Sequence, residues 1–136
     1  MECSLAREIA MKMLYAASLG GGETMDEVLE QSELETTLSD RDKAFLEDLT
    51  AGVPAHQEEL DEIIARYSQG WALNRLGKVD LTILRMAVYE LLYRPRVPVG
   101  ATINEAVELA KRYAEDKSAG FINGILGSVA RELQKE

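Results

Sequence analysis

Hydrophobic side chains recur every three to four residues along nearly the whole chain, a spacing typical of amphipathic helices. The strict alternation of apolar and polar residues that marks strands is not sustained anywhere in the sequence. We therefore predict an all-α fold. No repeat, linker or low-complexity stretch divides the chain, so residues 1–136 are predicted to form one domain.

Residues that stop helices separate the periodic stretches. Glycine commonly caps helix C-termini, and proline cannot donate a backbone N–H. The expected stops are Gly20 to Gly22, Gly52 with Pro54, Gly70, and Pro95 with Pro98. The predicted helices cover about Ser4 to Leu19, Thr24 to Glu33, a stretch from Ser39 to the stop at Gly52 and Pro54, a stretch through Leu60 that reaches Gly70, Leu81 to Tyr93, a stretch from Thr102, and Ser118 to Gln134.

Polar residues at three predicted helix starts indicate how these helices are capped. Ser39 followed by Asp42 is typical of a helix N-terminus. Asp80 is a natural N-cap for the most apolar helix, which we predict to be the central one. Thr102 with Glu105 has the spacing of a capping box. Such side chains would satisfy backbone N–H groups that have no partner within the helix.

Charge is distributed unevenly along the sequence. The formal net charge is −9, which opposes binding to nucleic acid. Residues 23–48 hold ten acidic and two basic side chains, a net of −8, whereas residues 66–117 hold nine basic and six acidic ones, a net of +3. A locally basic face therefore remains compatible with the acidic total.

The residue types that enzymes and metal sites need are scarce. Cys3 is the single cysteine and His56 the single histidine, and His56 with Glu59 would supply half a metal site at most. The glycines at 20–22 follow a helix and do not lead from a strand into one, unlike a phosphate-binding loop. We expect no enzymatic activity, cofactor or metal. Without a signal-like or membrane-spanning apolar run, a cytoplasmic location is expected.

The segment S-A-G-F-I-N-G-I-L-G-S at 118–128 places small residues on one stripe of the last helix, at Gly120, Gly124 and Gly127 or Ser128. Glycine inside a helix costs about 1 kcal/mol relative to alanine, so the stripe needs a reason. One reason is close packing of two helices. Another is close approach of RNA, with Phe121 as a stacking platform and Asn123 as a hydrogen-bonding reader.

Further motifs occur in order along the chain. They are Arg7, Ala10, Leu14 and Tyr15 in the first helix, Phe45 with Gly52 and Val53, W-A-L-N-R-L-G-K-V-D-L-T-I-L-R-M-A-V-Y-E-L-L from Trp71 to Leu92, Val97 with Pro98, I-N-E-A-V-E-L-A-K-R-Y from Ile103 to Tyr113, and F-I-N-G-I-L from Phe121 to Leu126. Through these motifs the sequence resembles the NusB family of transcription antitermination factors along almost its full length.

The resemblance implies a bundle of about seven helices that binds boxA-type RNA of ribosomal RNA leader transcripts. The implied partners are a small ribosomal protein, NusE, and the transcription elongation complex. The RNA surface would combine the start of the first helix with the turn entering the last one, at Arg7, Tyr15, Phe121 and Asn123. The partner surface would lie near the start of the central helix, where Asp80 matches an acidic family position.

The N-terminus departs from many relatives, which are rich in arginine there. Residues 1–13 of this chain hold two basic and two acidic side chains, so an electrostatic anchor for phosphates is missing. Two alternatives stay open. One is an RNA-guiding module related to ribosomal RNA methyltransferases, although the length favours a free-standing factor. The other is a protein-only helical adaptor or homodimer that uses the stripe at 120–127 as its interface.

Overall fold

A computed structural model of the chain describes residues 3–20, 38–68 and 72–134. Regular structure in these ranges is entirely helical, and the all-α prediction is confirmed. The helices are α1 (Ser4–Ser18), α2 (Asp40–Ala55), α3 (Gln57–Tyr67), α4 (Lys78–Tyr93), α5 (Val99–Tyr113) and α6 (Ser118–Gln134), with a short 3-10 turn at Leu73–Arg75. Some predicted features lie outside the described residues. They are the acidic helix predicted over 24–33 and the helix stops predicted at Gly21, Gly22 and Gly70, and Trp71 also lies outside.

The chain forms two compact units, residues 1–52 and 53–136. In the first unit, α1 and the part of α2 up to Gly52 supply buried apolar side chains at Ala6, Ile9, Ala10, Met11, Phe45, Leu46 and Leu49. Cys3 is buried as well, and its thiol donates a hydrogen bond to Asp42 Oδ1 at 3.3 Å. Burial and this hydrogen bond raise the pKa of the Cys3 thiol, which favours its protonated form.

The second unit has its own apolar core. Helix α6 packs most extensively against α5, and α4 contacts α3, α5 and α6. The core residues are Leu60 and Ile64 of α3, Ile83, Leu84, Met86, Ala87 and Val88 of α4, Ala106, Leu109 and Ala110 of α5, and Ile122, Ile125, Leu126, Val129 and Ala130 of α6. Because these positions recur at helical spacing, α3, α5 and α6 each turn one apolar face inward. Helix α4 differs, since nearly every residue from Thr82 to Glu90 is buried and only its two ends are more exposed.

The predicted starts of two helices are wrong. Helix α4 begins at Lys78, after Gly77 as N-cap, so Asp80 lies inside its first turn and does not cap it. Helix α5 begins at Val99 directly after Pro98, which pre-sets a backbone angle suited to this position. Thr102 is therefore already inside the helix, and it faces another helix instead of acting in a capping box.

Two other boundary predictions have opposite outcomes. Ser39 does cap α2, because its Oγ accepts a hydrogen bond from the backbone N–H of Asp42 at 3.1 Å. The predicted stop at Gly52 and Pro54 is wrong, since α2 continues to Ala55 with Pro54 inside it. Proline in the last turn removes one backbone donor without interrupting the hydrogen bonds of the turns before it.

Candidate nucleic-acid interface

One face of α6 is open and almost free of side chains. Gly120, Asn123 and Gly124 are all exposed, and their spacing places them together on one side of the helix. A Cβ atom built on Gly120 or Gly124 would meet nothing within 4 Å. No helix among the described residues therefore packs closely against these two glycines, so packing within that part of the chain does not explain them. Asn123 lies between them in the sequence and is exposed. Its side-chain amide therefore presents two N–H groups and a carbonyl oxygen for hydrogen bonding.

Phe121 lies at the edge of this open face. Its side chain is half-buried, while the next residue, Ile122, is fully inside the core. The backbone N–H of Phe121 donates to the carbonyl oxygen of Lys117 at 3.3 Å, which continues the helical hydrogen bonding into the turn before α6. A half-exposed ring at the edge of this face offers an apolar surface on which a base can stack. Phe121 and Asn123 are two positions apart on α6 and therefore point to different sides of the helix, so their joint role in RNA binding stays a prediction.

The first turn of α6 is tied to α4. Ser118 Oγ donates a hydrogen bond of 2.9 Å to Oδ2 of Asp80, which is half-buried in the first turn of α4. Burial raises the pKa of the Asp80 carboxyl group, the Ser118 hydrogen bond lowers it, and the nearby Glu115 carboxylate raises it. Since Asp80 is half-buried, part of its carboxylate is accessible to a partner. Its contact with Ser118 has no counterpart in the sequence pattern, because the two residues are far apart along the chain.

Basic and aromatic side chains precede α6, and the sequence-based site did not include them. Arg112 lies over the Tyr113 ring, with 5.4 Å between the guanidinium carbon and the ring centroid, and both side chains are exposed at the end of α5. Lys117 is exposed immediately before α6, whereas Lys111 pairs with Glu108 at 3.5 Å. The short K-R-Y run at 111–113 could have indicated the residues at the end of α5. A net charge taken over residues 66–117 does not show such a short run.

Arg7 and Tyr15 lie on α1 in the first unit. Arg7 is buried, with 3% of its surface exposed, and its guanidinium carbon is 4.8 Å from the centroid of the Phe45 ring. Tyr15 is half-buried, and its backbone carbonyl accepts a hydrogen bond from Ser18 Oγ at 2.6 Å. A phosphate contact from Arg7 would have to compete with the stacking on Phe45. The RNA roles of Arg7 and Tyr15 stay predictions.

Other chemistry finds little support in the part of the chain that the structure describes. That part contains no group of three or more histidine, cysteine, aspartate or glutamate side chains placed to hold a metal ion. His56 stacks on Tyr93 with ring centroids 4.4 Å apart, and its Nδ1 lies 3.7 Å from Glu59. Each described helix is also too short or too polar to cross a lipid bilayer.

Comparison with known proteins gives consistent matches over nearly the whole chain. The model of the NusB family matches residues 4–131. The transcription antitermination protein NusB of Acetivibrio thermocellus is 44% identical over 129 residues, with 93% of this chain and 86% of that protein covered. The protein of the same name from Geobacter sulfurreducens is 42% identical over 132 residues, with 95% and 94% covered.

Solved structures give the same result. NusB of T. maritima superimposes with a TM-score of 0.85 at 35% sequence identity, covering 97% of this chain and 92% of that one. A crystal structure of the antitermination factors NusB and NusE in complex with dsRNA contains a chain that superimposes with a TM-score of 0.79 at 28% identity, covering 97% and 99%. The similarity therefore extends across both compact units and is not limited to one short motif.

Proposed function

Because the chain belongs to the NusB family, we propose that it is a transcription antitermination factor that binds boxA-type RNA jointly with NusE. It acts on ribosomal RNA leader transcripts at the transcription elongation complex, in the cytoplasm, and by binding instead of catalysis. Family membership supports this role, and a similar solved structure holds NusB and NusE with dsRNA.

The observation that carries the RNA-binding part of the proposal is the open face of α6. Glycine at positions 120 and 124 leaves the helix backbone uncovered on both sides of Asn123. An RNA backbone or base can approach such a surface more closely than one that carries ordinary side chains. Phe121 adds a ring at the edge, and stacking of a base on an aromatic side chain contributes about 1–3 kcal/mol.

The need for NusE follows from the placement of the cations. Arg7 is buried against Phe45, and Lys12 lies 3.8 Å from Glu8 on the same helix. Both basic side chains of α1 therefore already have acidic or aromatic neighbours. Each phosphate neutralised by a lysine or arginine contributes to affinity through counterion release. Because α1 adds little of this contribution and only a few exposed cations such as Arg112 and Lys117 lie near α6, this chain alone should bind RNA weakly. A basic partner docked near Asp80 would add cations to the RNA surface.

The proposal is tested by titrating fluorescently labelled boxA-like RNA with the chain, with NusE, and with both, at several salt concentrations. We expect the pair to bind at least about tenfold more tightly than either protein alone, with a steeper loss of affinity as salt rises. An RNA of permuted sequence is the control and should bind the pair more weakly. Equal affinities and equal salt slopes in all series would reject joint recognition and favour the protein-only adaptor.

A further inference from the structure

The start of α6 is fixed by one buried polar residue. Ser118 is the first residue of the helix and has 6% of its surface exposed. Its backbone N–H donates to the carbonyl oxygen of Glu115 at 2.9 Å, and its Oγ donates to Asp80 at 2.9 Å. The first hydrogen bond closes the turn before α6. The second joins that turn to α4 within the same compact unit.

Apolar packing holds the first turn of α6 only lightly. Ala119 and Phe121 are half-buried, Gly120 is exposed and has no side chain, and the first fully buried apolar residue is Ile122. Helix ends fray when their groups lack partners. Between the turn and Ile122, the hydrogen bond from Ser118 to Asp80 therefore adds a tie to another helix that opposes fraying of the segment carrying Phe121.

Asp80 is placed to hold this contact. It is the third residue of α4, where a carboxylate interacts favourably with the positive end of the helix dipole. Its half-buried position makes the hydrogen bond stronger than it would be in water, since competing solvent is reduced. Hydrogen bonds to a charged acceptor are shorter and stronger than those between neutral groups.

We propose that Asp80 and Ser118 are positioning residues for the open face of α6, which they hold in register for RNA by fixing the first turn of the helix. The inference rests on the proposed function of that face. Helix geometry places Asn123 about 7.5 Å along the axis from Ser118, so a shift at Ser118 is transmitted directly to the face. This role is separate from the partner contact that the family resemblance assigns to Asp80, and it operates without NusE.

The test uses the full chain and labelled boxA-like RNA, with NusE absent and then present. Ser118→Ala removes the donor and Asp80→Ala removes the acceptor, whereas Ser118→Thr and Asp80→Asn retain them. We expect each alanine variant to weaken RNA binding roughly three- to tenfold in both series, as for one lost hydrogen bond to a charged group. In the series without NusE, the double alanine variant should lose no more than either single one, because both remove the same contact. The threonine and asparagine variants should recover most of the affinity.

Hydrogen exchange supplies a second readout that does not need RNA. Amides of residues 119–123 should exchange faster in Ser118→Ala, while those of the C-terminal half of α6 keep the wild-type rate. Thr50→Ala is the control, since Thr50 is a hydroxyl residue of α2 whose Oγ1 donates within its own helix, to the carbonyl oxygens of Leu46 at 2.9 Å and Glu47 at 3.3 Å. It should change neither exchange at 119–123 nor RNA affinity.

Three results would overturn the inference. Unchanged exchange at 119–123 in Ser118→Ala would show that packing alone holds the turn. Additive losses in the double variant without NusE would show that the two residues act independently. A loss for Asp80→Ala that appears only with NusE would make Asp80 a partner contact and nothing more. Failure of the wild-type chain to bind RNA even with NusE would reject the proposed function itself, and faster exchange in Ser118→Ala would then show only a structural tie.

Discussion

Replacing Gly120 and Gly124 by alanine should make the protein more stable and, at the same time, a weaker RNA binder. Both glycines are exposed residues within α6, and an added Cβ would meet nothing within 4 Å. Alanine in a helix interior is favoured over glycine by about 0.5–1 kcal/mol, so the double variant should gain about 1–2 kcal/mol. For a chain of this size that gain corresponds to a rise in Tm of roughly 3–8 °C.

The effect on RNA binding should have the opposite sign. Two methyl groups beside Asn123 would hold an approaching RNA away from the helix backbone and lengthen its contacts with Asn123 and Phe121. Hydrogen bonds weaken steeply as geometry departs from the ideal, so we expect the affinity of the complex with NusE to fall about tenfold, or about 1.4 kcal/mol. Thermal unfolding and fluorescence titration of the same preparation measure both quantities.

Gly100→Ala is the matched control for this experiment. Gly100 is another exposed helical glycine with open space around its Cβ position, and it lies in the first turn of α5. The substitution should leave RNA affinity unchanged. If the variant at 120 and 124 instead lost stability, the face would be packed against something and the open-space reasoning would be wrong. If it gained stability and kept full RNA affinity, RNA would not contact this face.

Three further substitutions test other parts of the structure. Phe121→Ala should weaken RNA binding by about 1–3 kcal/mol in the titration with NusE, because a stacking surface is lost. Unchanged affinity together with a lower Tm would make Phe121 a core residue only. Asp61→Ala should lower the free energy of unfolding, measured in urea, by about 1–3 kcal/mol. The substitution leaves Arg85 without the paired hydrogen bonds of 2.7 and 2.9 Å that these partly buried side chains share. A loss near zero would contradict this. Asp80→Asn should become more stable relative to wild type as pH rises from about 3.9, the ordinary carboxyl pKa, through the raised pKa of Asp80. The reason is that wild type loses the stability contributed by a group with a raised pKa over this pH range, whereas the asparagine variant does not. A constant difference between pH 4 and pH 7 would argue against the burial effect.

The sequence predicted the parts of the fold that depend on local pattern. Helix α6 spans Ser118–Gln134 as expected, because its apolar residues recur without interruption and a polar turn precedes it. The Ser39 cap was likewise predictable, since its hydrogen bond reaches only three residues along the chain. In both cases the signal and the structure it specifies lie within a few residues of each other.

Two polar residues were assigned to caps because local pattern cannot show a partner from another helix. Asp80 accepts its hydrogen bond from Ser118 of α6. Thr102 donates to Glu90 of α4, and both of these side chains are buried. A side chain that could cap its own helix can equally satisfy a distant group, and packing decides which occurs. The same limit applies to Arg7, whose contact with Phe45 has no signature in the spacing of charges.

The most direct test of RNA recognition by α6 is photocrosslinking of boxA-like RNA containing 4-thiouridine to the complex of this chain with NusE. Trypsin cleaves after Lys117 and Arg131 and nowhere between them, so residues 118–131 of α6 are released as one peptide that mass spectrometry can identify. We expect the dominant crosslink in this peptide, at Phe121 or its neighbours, and its loss in the presence of excess unlabelled RNA. Crosslinks confined to other peptides of the chain, with RNA bound at full affinity, would contradict recognition through the open face of α6.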